Sequence, residues 1–207
     1  MKTTISNRPA LPTTTIHAVR LCLFQPTRRP VHENRIIATP GGKIRRFGKL
    51  GQQHADVLEA ICYEREKKAS LEDRRIKLLV DPARVRRTAD QVSFSTFDRV
   101  LTELQAGVIE IIEPAKLACQ GHLIDHIDKA TRADGTPITR YDPLTGRDRP
   151  LWRVELGKAL CTLIAGDIWL GYDPAAIARL PHGISQAVAR HVLTHKNTPR
   201  GGGIWIR

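Results

Sequence analysis

The stretch from Asp81 to Glu113, DPARVRRTADQVSFSTFDRVLTELQAGVIEIIE, limits the fold of this chain more than any other. Asp81-Pro82 supplies an N-cap and a proline at the first helical position, so a short helix is predicted to start there. It turns Val85 and Ala89 inward and leaves Arg84, Arg86 and Arg87 outside. A second helix follows after a tight turn, with Phe94, Phe97, Val100, Leu101 and Leu104 within about 120° of its circumference at about 100° per residue. Ser95 with Asp98 three residues on, or Ser93 one turn earlier, opens that helix, and Gly107 stops it. Val108 to Glu113 then reads as an apolar strand. Short helix, turn, amphipathic helix and strand is the order of a helix-turn-helix with a wing. The predicted class is therefore α+β: a winged helix-turn-helix with a β-wing and a long polar wing loop.

The rest of the chain supplies the parts such a fold needs. Residues 1–34 read as a flexible basic arm, with Pro9, Pro12, Pro26 and Pro30 and no acid before Glu33. Arg35–Thr39 and Lys43–Phe47 flank Pro40-Gly41-Gly42, a tight-turn signal between two strands. Gln52–Lys68 is a predicted helix with Val57, Leu58, Ile61 and Cys62 on one face and Glu59, Glu64, Arg65 and Lys67 on the rest. Arg75–Val80 alternates as a strand, and His122–Asp128 is expected to pair with Val108–Glu113 as the wing. Lys129–Arg149 is polar and turn-rich and is read as an exposed wing loop. Trp152, Val154 and Leu156 close the wing, Trp152 and Trp169 in apolar strands read as core, and Leu156, Leu160, Leu163 and Ile164 form a short helix. The winged-helix domain is placed at residues 35–172. Asp173-Pro174 repeats the helix-start signature, so residues 173–207 read as the beginning of a second winged-helix domain, incomplete, with a basic glycine-rich tail.

Charge narrows the partner. Lys and Arg outnumber Asp and Glu by 33 to 21 over 207 residues, a formal net charge of +12. Such an excess on a small helical scaffold points to a phosphate-rich partner, duplex DNA before others. No window approaches the ~20 uninterrupted apolar residues of a spanning helix, so no membrane partner is expected. Cys22, Cys62, Cys119 and Cys161 stand far apart with no Cys-x-x-Cys pair, which fits neither a zinc ribbon nor a disulfide framework and suits the cytoplasm.

Ser95, Thr96, Arg99 and Thr102 on the helix after the turn are the candidate base contacts, at the spacing that reaches base edges in a major groove. Asp98 and Glu103 offset Arg99, so the same residues also fit an ordinary solvated face. Lys43, Arg45, Arg46, Arg84, Arg86, Arg87, Arg140, Arg147 and Arg149 are the candidate phosphate contacts, which position a protein without reading sequence. His122 and His126, with Asp125 and Asp128 nearby, lack the upstream His-x-His of hydrolytic metal sites. His191 and His195 have zinc spacing, but Val192 stands where a zincin has its catalytic Glu. Gly41-Gly42-Lys43 lacks the Walker spacing, and no nucleophile-elbow or kinase signature occurs. The expectation is a protein without catalysis, cofactor or metal.

Two stretches, Gly51–Glu113 and LWRVELGKALCTLIAGDIWLGYDPAAIARLPHGISQAVARHVLTH at 151–195, resemble plasmid replication initiators of the RepA/TrfA-like type. The likeness runs from about Lys49 to Thr198. It implies recognition of repeated DNA sites at an origin, contact with host replication proteins, and a first winged domain that dimerises and grips phosphates while the second reads bases. The expected function is sequence-specific binding of double-stranded DNA. A winged-helix repressor and a dimerisation or interaction module without DNA are the alternatives.

Overall fold

The computed structural model describes residues 13–39, 42–66, 70–72, 75–91, 93–112, 119–143, 145–166 and 169–195. In chain order the elements are β1 (Thr14–Thr15), α1 (Ile16–Arg20), β2 (Glu33–Thr39), β3 (Gly42–Gly48), α2 (Gln52–Tyr63), β4 (Ser70–Glu72), β5 (Arg75–Val80), α3 (Pro82–Thr88) and α4 (Phe94–Ala106). There follow β6 (Val108–Ile112), β7 (Cys119–His122), β8 (Ile124–Lys129), β9 (Thr139–Asp142), β10 (Arg147–Pro150), β11 (Trp152–Leu156), α5 (Lys158–Gly166), β12 (Trp169–Leu170), α6 (Ala175–Ala178) and α7 (Gly183–Leu193). Two four-stranded antiparallel sheets, ordered β4-β5-β11-β8 and β2-β3-β6-β7, are joined by the pairs β9–β10 and β1–β12. The protein is α+β.

Local signals explain most of these elements. The hairpin of β2 and β3 runs in register from Glu33↔Gly48 to Thr39↔Gly42. Its alternation puts Ile44 and Arg46 inside and Lys43, Arg45 and Phe47 outside. Asp81 caps α3 by accepting from the Ala83 N–H at 2.9 Å, and Pro82 opens the helix. Phe97, Val100, Leu101 and Leu104 of α4 are buried in the same core cluster as Leu58, Ile61, Ile76, Leu78, Val154 and Leu156. Gly107 ends α4 in extended backbone rather than in the left-handed region. Its lack of a side chain is needed for space: a Cβ there would lie 3.1 Å from Leu50 Cδ2 and 3.3 Å from the Glu103 carbonyl.

Four expectations are corrected. The wing is not a pairing of residues 108–113 with 122–128. Val108 pairs with His122 in β7, after which the chain leaves that sheet and Ile124–Lys129 pairs with β11. Leu123 and Ile124 are both fully buried, so the alternation of a single strand breaks there and the chain changes sheets. Residues 13–34 are not a loose arm. Thr13 and Thr15 are buried, Ala18, Leu21 and Leu23 enter the core, and β1 pairs with β12. The short apolar run around Leu21 is too brief to show periodicity but long enough to fill space beside α2. The boundary read at residue 172 is no break in packing, because α6 and α7 both lie against α2. Trp169, read as core, is exposed, with its indole N–H donating to the Ile164 carbonyl at 2.7 Å. The Pro40-Gly41 turn, residues 1–12 and the tail from Thr198 fall outside the described residues.

Helix α2 differs most from its sequence reading. Ten of its twelve residues are buried, among them Gln52, His54, Asp56 and Glu59. The two carboxylates and Gln52 are met by Arg190 of α7. Its guanidinium donates to Asp56 Oδ1 at 2.6 Å, to both Glu59 oxygens at 2.9 Å and to Gln52 Oε1 at 2.7 Å. Gln186, one turn earlier on α7, donates to Asp56 Oδ2 at 3.2 Å and to the Ala178 carbonyl at 3.0 Å. Burial pushes the Asp56 carboxyl up to about 6, against the pull of Arg190.

Removing one partner of a buried ion pair strands the others, at a cost of about 3–5 kcal/mol. Arg190→Leu is expected to lose stability on that scale, read as the shift of the urea midpoint at constant slope. The Asp56 shift also has a sign. Between the unfolded value of 3.8 and the folded value of about 6, the folded chain holds a proton that the unfolded chain has released. The Asp56 contribution to stability therefore falls as pH rises through that window. In urea titrations at pH ~4.5 and ~7, Asp56→Asn should gain more stability, or lose less, than the parent on going to the higher pH. Equal changes in the two proteins would refute the assignment.

Candidate nucleic-acid interface

The turn between α3 and α4 is closed by two backbone hydrogen bonds, with the Gln91 side-chain amide also donating to the Ala89 carbonyl at 3.1 Å. The Asp90 N–H donates to the Arg87 carbonyl at 3.2 Å and the Gln91 N–H to the Arg86 carbonyl at 2.9 Å, the paired bonds of a Schellman motif. Asp90 occupies its left-handed position with φ 53°. This sets the start of α4 beside the basic C-terminus of α3. The ring of Phe97 stacks on Trp152 of β11, centroids 6.0 Å apart and planes 13° from parallel, which seats α4 on the base of the β8–β11 hairpin. The hairpin continues outward into β9 and β10.

The structure places the base-contact candidates on α4 but engages three of them in hydrogen bonds. Ser95 is exposed and shares a 2.7 Å hydrogen bond with Ser93; Thr96 is half-buried. Arg99 is exposed and donates to Glu103 Oε2 at 2.8 Å, and the Thr102 hydroxyl donates to the Asp98 carbonyl at 3.0 Å. Glu103 also meets buried His54 of α2, Nε2 to Oε2 2.9 Å. Burial holds the His54 pKa below its usual value, and its Nδ1 accepts from the Gly51 N–H at 3.1 Å. The imidazole is thus neutral with its proton on Nε2, donated to Glu103. That carboxylate anchors α4 to α2 and holds Arg99 along the helix.

The phosphate candidates separate into three groups. Lys43 and Arg45 are exposed on the outer face of the β2-β3-β6-β7 sheet, Arg45 bonded to Glu110 at 2.8 Å. Arg46 is 3% exposed and donates to the Cys22 carbonyl and to Glu33, so it is a structural residue and not a surface cation. Arg84, Arg140 and Arg149 are drawn into ion pairs that tie the hairpin tip to the helices. Arg84 meets Glu64 and Glu66, Arg140 meets the same Glu66, and Arg149 bridges Asp142 at 2.8 Å and Asp81 at 2.7 Å. Asp81 therefore caps α3 with one oxygen and holds the hairpin with the other. Arg86, Arg87 and Arg147 form the third group, with no ion pair among the described residues. The Arg86 guanidinium lies 5.8 Å from the centroid of the Phe94 ring.

Sequence reasoning missed Asp81, Glu66 and Asp142 as anchors, because their partners lie 68 and 74 positions away or across a hairpin. The histidines take separate places. His122 ends β7, with Nδ1 3.2 Å from the Gly107 carbonyl, and His126 on β8 meets Asp128 at 3.0 Å. His191 and His195 stand edge to face, centroids 5.2 Å apart. No group of three or more His, Cys, Asp or Glu suited to a metal is found among the described residues, and no described helix is long and apolar enough to cross a membrane.

The arrangement is a mixed α+β body in which α3 and α4 are joined by a tight turn, with an ion-paired hairpin set beside them. No protein-family model matches the sequence, and no curated protein does. Among solved structures, that of domains 2 and 3 of RctB is similar, with 10% sequence identity and a TM-score of 0.48, covering 89% of this chain and 71% of that one.

The Asp81–Arg149 bridge generates a prediction. Arg149→Met keeps the stem but leaves Asp81, fully buried, with one oxygen lacking its cation. A loss of ~1–3 kcal/mol is expected, together with faster amide exchange at residues 138–142 and 147–151. Unchanged exchange in the hairpin would mean that the bridge does not hold it.

Proposed function

We propose that this chain is a winged-helix protein that binds double-stranded DNA with sequence preference, as an initiator of plasmid-type replication, without catalysing a reaction. The observation that carries this reading is the helix-turn-helix of α3 and α4 framed by α2, β5 and the β8–β11 hairpin. Helix α4 is the recognition helix, and the hairpin with β9 and β10 is the wing. The exposed N-terminal turn of α4 would enter the major groove, with Ser95, Thr96 and Thr102 toward base edges. Arg86 and Arg87 at the end of α3 and Arg147 at the wing tip would meet phosphates on either side. Arg99 takes part only if it leaves Glu103, and an exposed pair of that kind is worth ~0.3–0.5 kcal/mol, well within what a phosphate or a guanine repays.

A second role has its own observation. Ile36, Phe47 and Ile112 are exposed on the outer face of the β2-β3-β6-β7 sheet, Ile36 opposite Arg45, Phe47 opposite Asn34 and Val108, and Ile112 opposite Lys43. That face suits a protein contact, with a second copy of the chain or a host replication protein, beside DNA binding and not in its place. The working compartment in this reading is the cytoplasm, where the four free cysteines remain thiols.

Counterion release supplies the test. Affinity for a mixed pool of duplexes is expected to fall steeply between ~50 and ~200 mM salt. Arg87→Ala and Arg147→Ala should each lower the slope of log affinity against log salt by about 0.9, if each neutralises one phosphate. Absence of binding at the lower salt, or a slope unmoved by either variant, contradicts the proposal.

A further inference from the structure

Phe94 is the one residue of the apolar stripe of α4 that does not enter the core. Its period places it with Phe97, Val100, Leu101 and Leu104, yet it is 59% exposed while those four are buried. The reason is visible one turn on. Phe97 closes the core by stacking on Trp152, and Phe94 meets only the edge of Phe97, centroids 6.4 Å apart at 64°. The Arg86 guanidinium lies over its ring, 5.8 Å from the centroid. A single exposed apolar residue is ordinary on a protein surface. This one is the first residue of the helix that follows the turn, the position from which a recognition helix touches base edges. The stacked Arg86 holds the ring in place and sets a cation beside it, which suits a polyanionic partner. The flanking Ser93 and Ser95 are small and bonded to each other, so the ring projects furthest at this end of the helix.

We infer that Phe94 is a specificity residue of the DNA-reading surface, and that the group it recognises is the 5-methyl of thymine in the major groove. The inference rests on the duplex-DNA reading above. An aromatic edge has no hydrogen bond to give to a base, and the thymine methyl is the apolar group that the major groove displays. With Arg86 laid over the ring, one step of the groove is read by apolar contact while the guanidinium N–H groups face the adjoining phosphate.

The test uses the full chain and a duplex selected from a random pool at about 50 mM salt, where phosphate contacts are least screened. The selected duplex is remade with uracil for every thymine, which removes the methyl groups and leaves the pairing intact. Burial of one methyl-sized group corresponds to about fourfold in affinity, so the parent should bind the uracil duplex about fourfold more weakly for each methyl it touches. Phe94→Ala should bind the two duplexes within about twofold of each other, and Phe94→Leu should keep part of the difference. Both variants are expected to unfold at the parent temperature, because the side chain is outside the core. Equal binding of both duplexes by the parent overturns the methyl assignment while leaving DNA binding in place. A parent preference retained in Phe94→Ala overturns the choice of residue. Failure of the parent to bind any duplex overturns this inference together with the function it rests on.

Discussion

A helix at the centre of this protein carries its charges inward, and the other elements are arranged around that fact. Burying Asp56, Glu59 and His54 in α2 is costly unless each is matched, since an unpaired charge away from water is strongly unfavourable. The matches come from different parts of the chain. Arg190 and Gln186 bring α7 to one side, and Glu103 brings α4 to another. Apolar packing alone would allow α4 and α7 to slide on α2, but directional hydrogen bonds to a guanidinium and an imidazole specify one seating. The position of α4, and with it everything placed at the candidate interface, is set from inside.

A second set of ion pairs works at the rim. The hairpin from residue 130 to 151 is long and has little core of its own, and its tip strands β9 and β10 are mostly exposed. It is held by Arg149 to Asp81 and by Arg140 to Glu66, which in turn takes Arg84. The charge of a basic chain is thus divided between two tasks. Arg46, Arg84, Arg140, Arg149 and Arg190 hold the fold together, while Arg86, Arg87 and Arg147 remain on the surface next to α4 and near the tip of the β9–β10 hairpin. A net charge of +12 does not by itself say which side chains are free to face a partner.

What could be read from the sequence is what neighbours determine. The Asp81-Pro82 cap, the stripe of α4, the pairing of β2 with β3 and the short helix at 158–166 depend on residues within a few positions of one another. Each appears in the structure close to its predicted place. The departures lie where distant parts of the chain meet. Glu59 reads as a solvated charge until Arg190, 131 positions later, is folded onto it. The change of sheets at Leu123 depends on β11 being a better partner for β8 than β6 is, and the packing of residues 13–34 depends on α2 and β12. Phe94 has helical period like its neighbours, and only the Phe97–Trp152 stack shows that the core is full without it. Of the thirteen side chains proposed for DNA from the sequence, the structure withdraws Arg46 and gives Arg84, Arg140 and Arg149 anchoring duties.

In the proposed function, DNA meets the surface formed by the end of α3, the start of α4 and the β9–β10 hairpin. Amide hydrogen exchange of the intact chain, with and without a mixed-sequence duplex of about 20 base pairs at low salt, tests it most directly, because it reports where the duplex lies without presupposing a residue. Slowed exchange is expected at residues 84–99 and 138–151, with the sheet of β2, β3, β6 and β7 unchanged. Protection confined to that sheet, with α4 and the β9–β10 hairpin unaffected, would contradict the proposal.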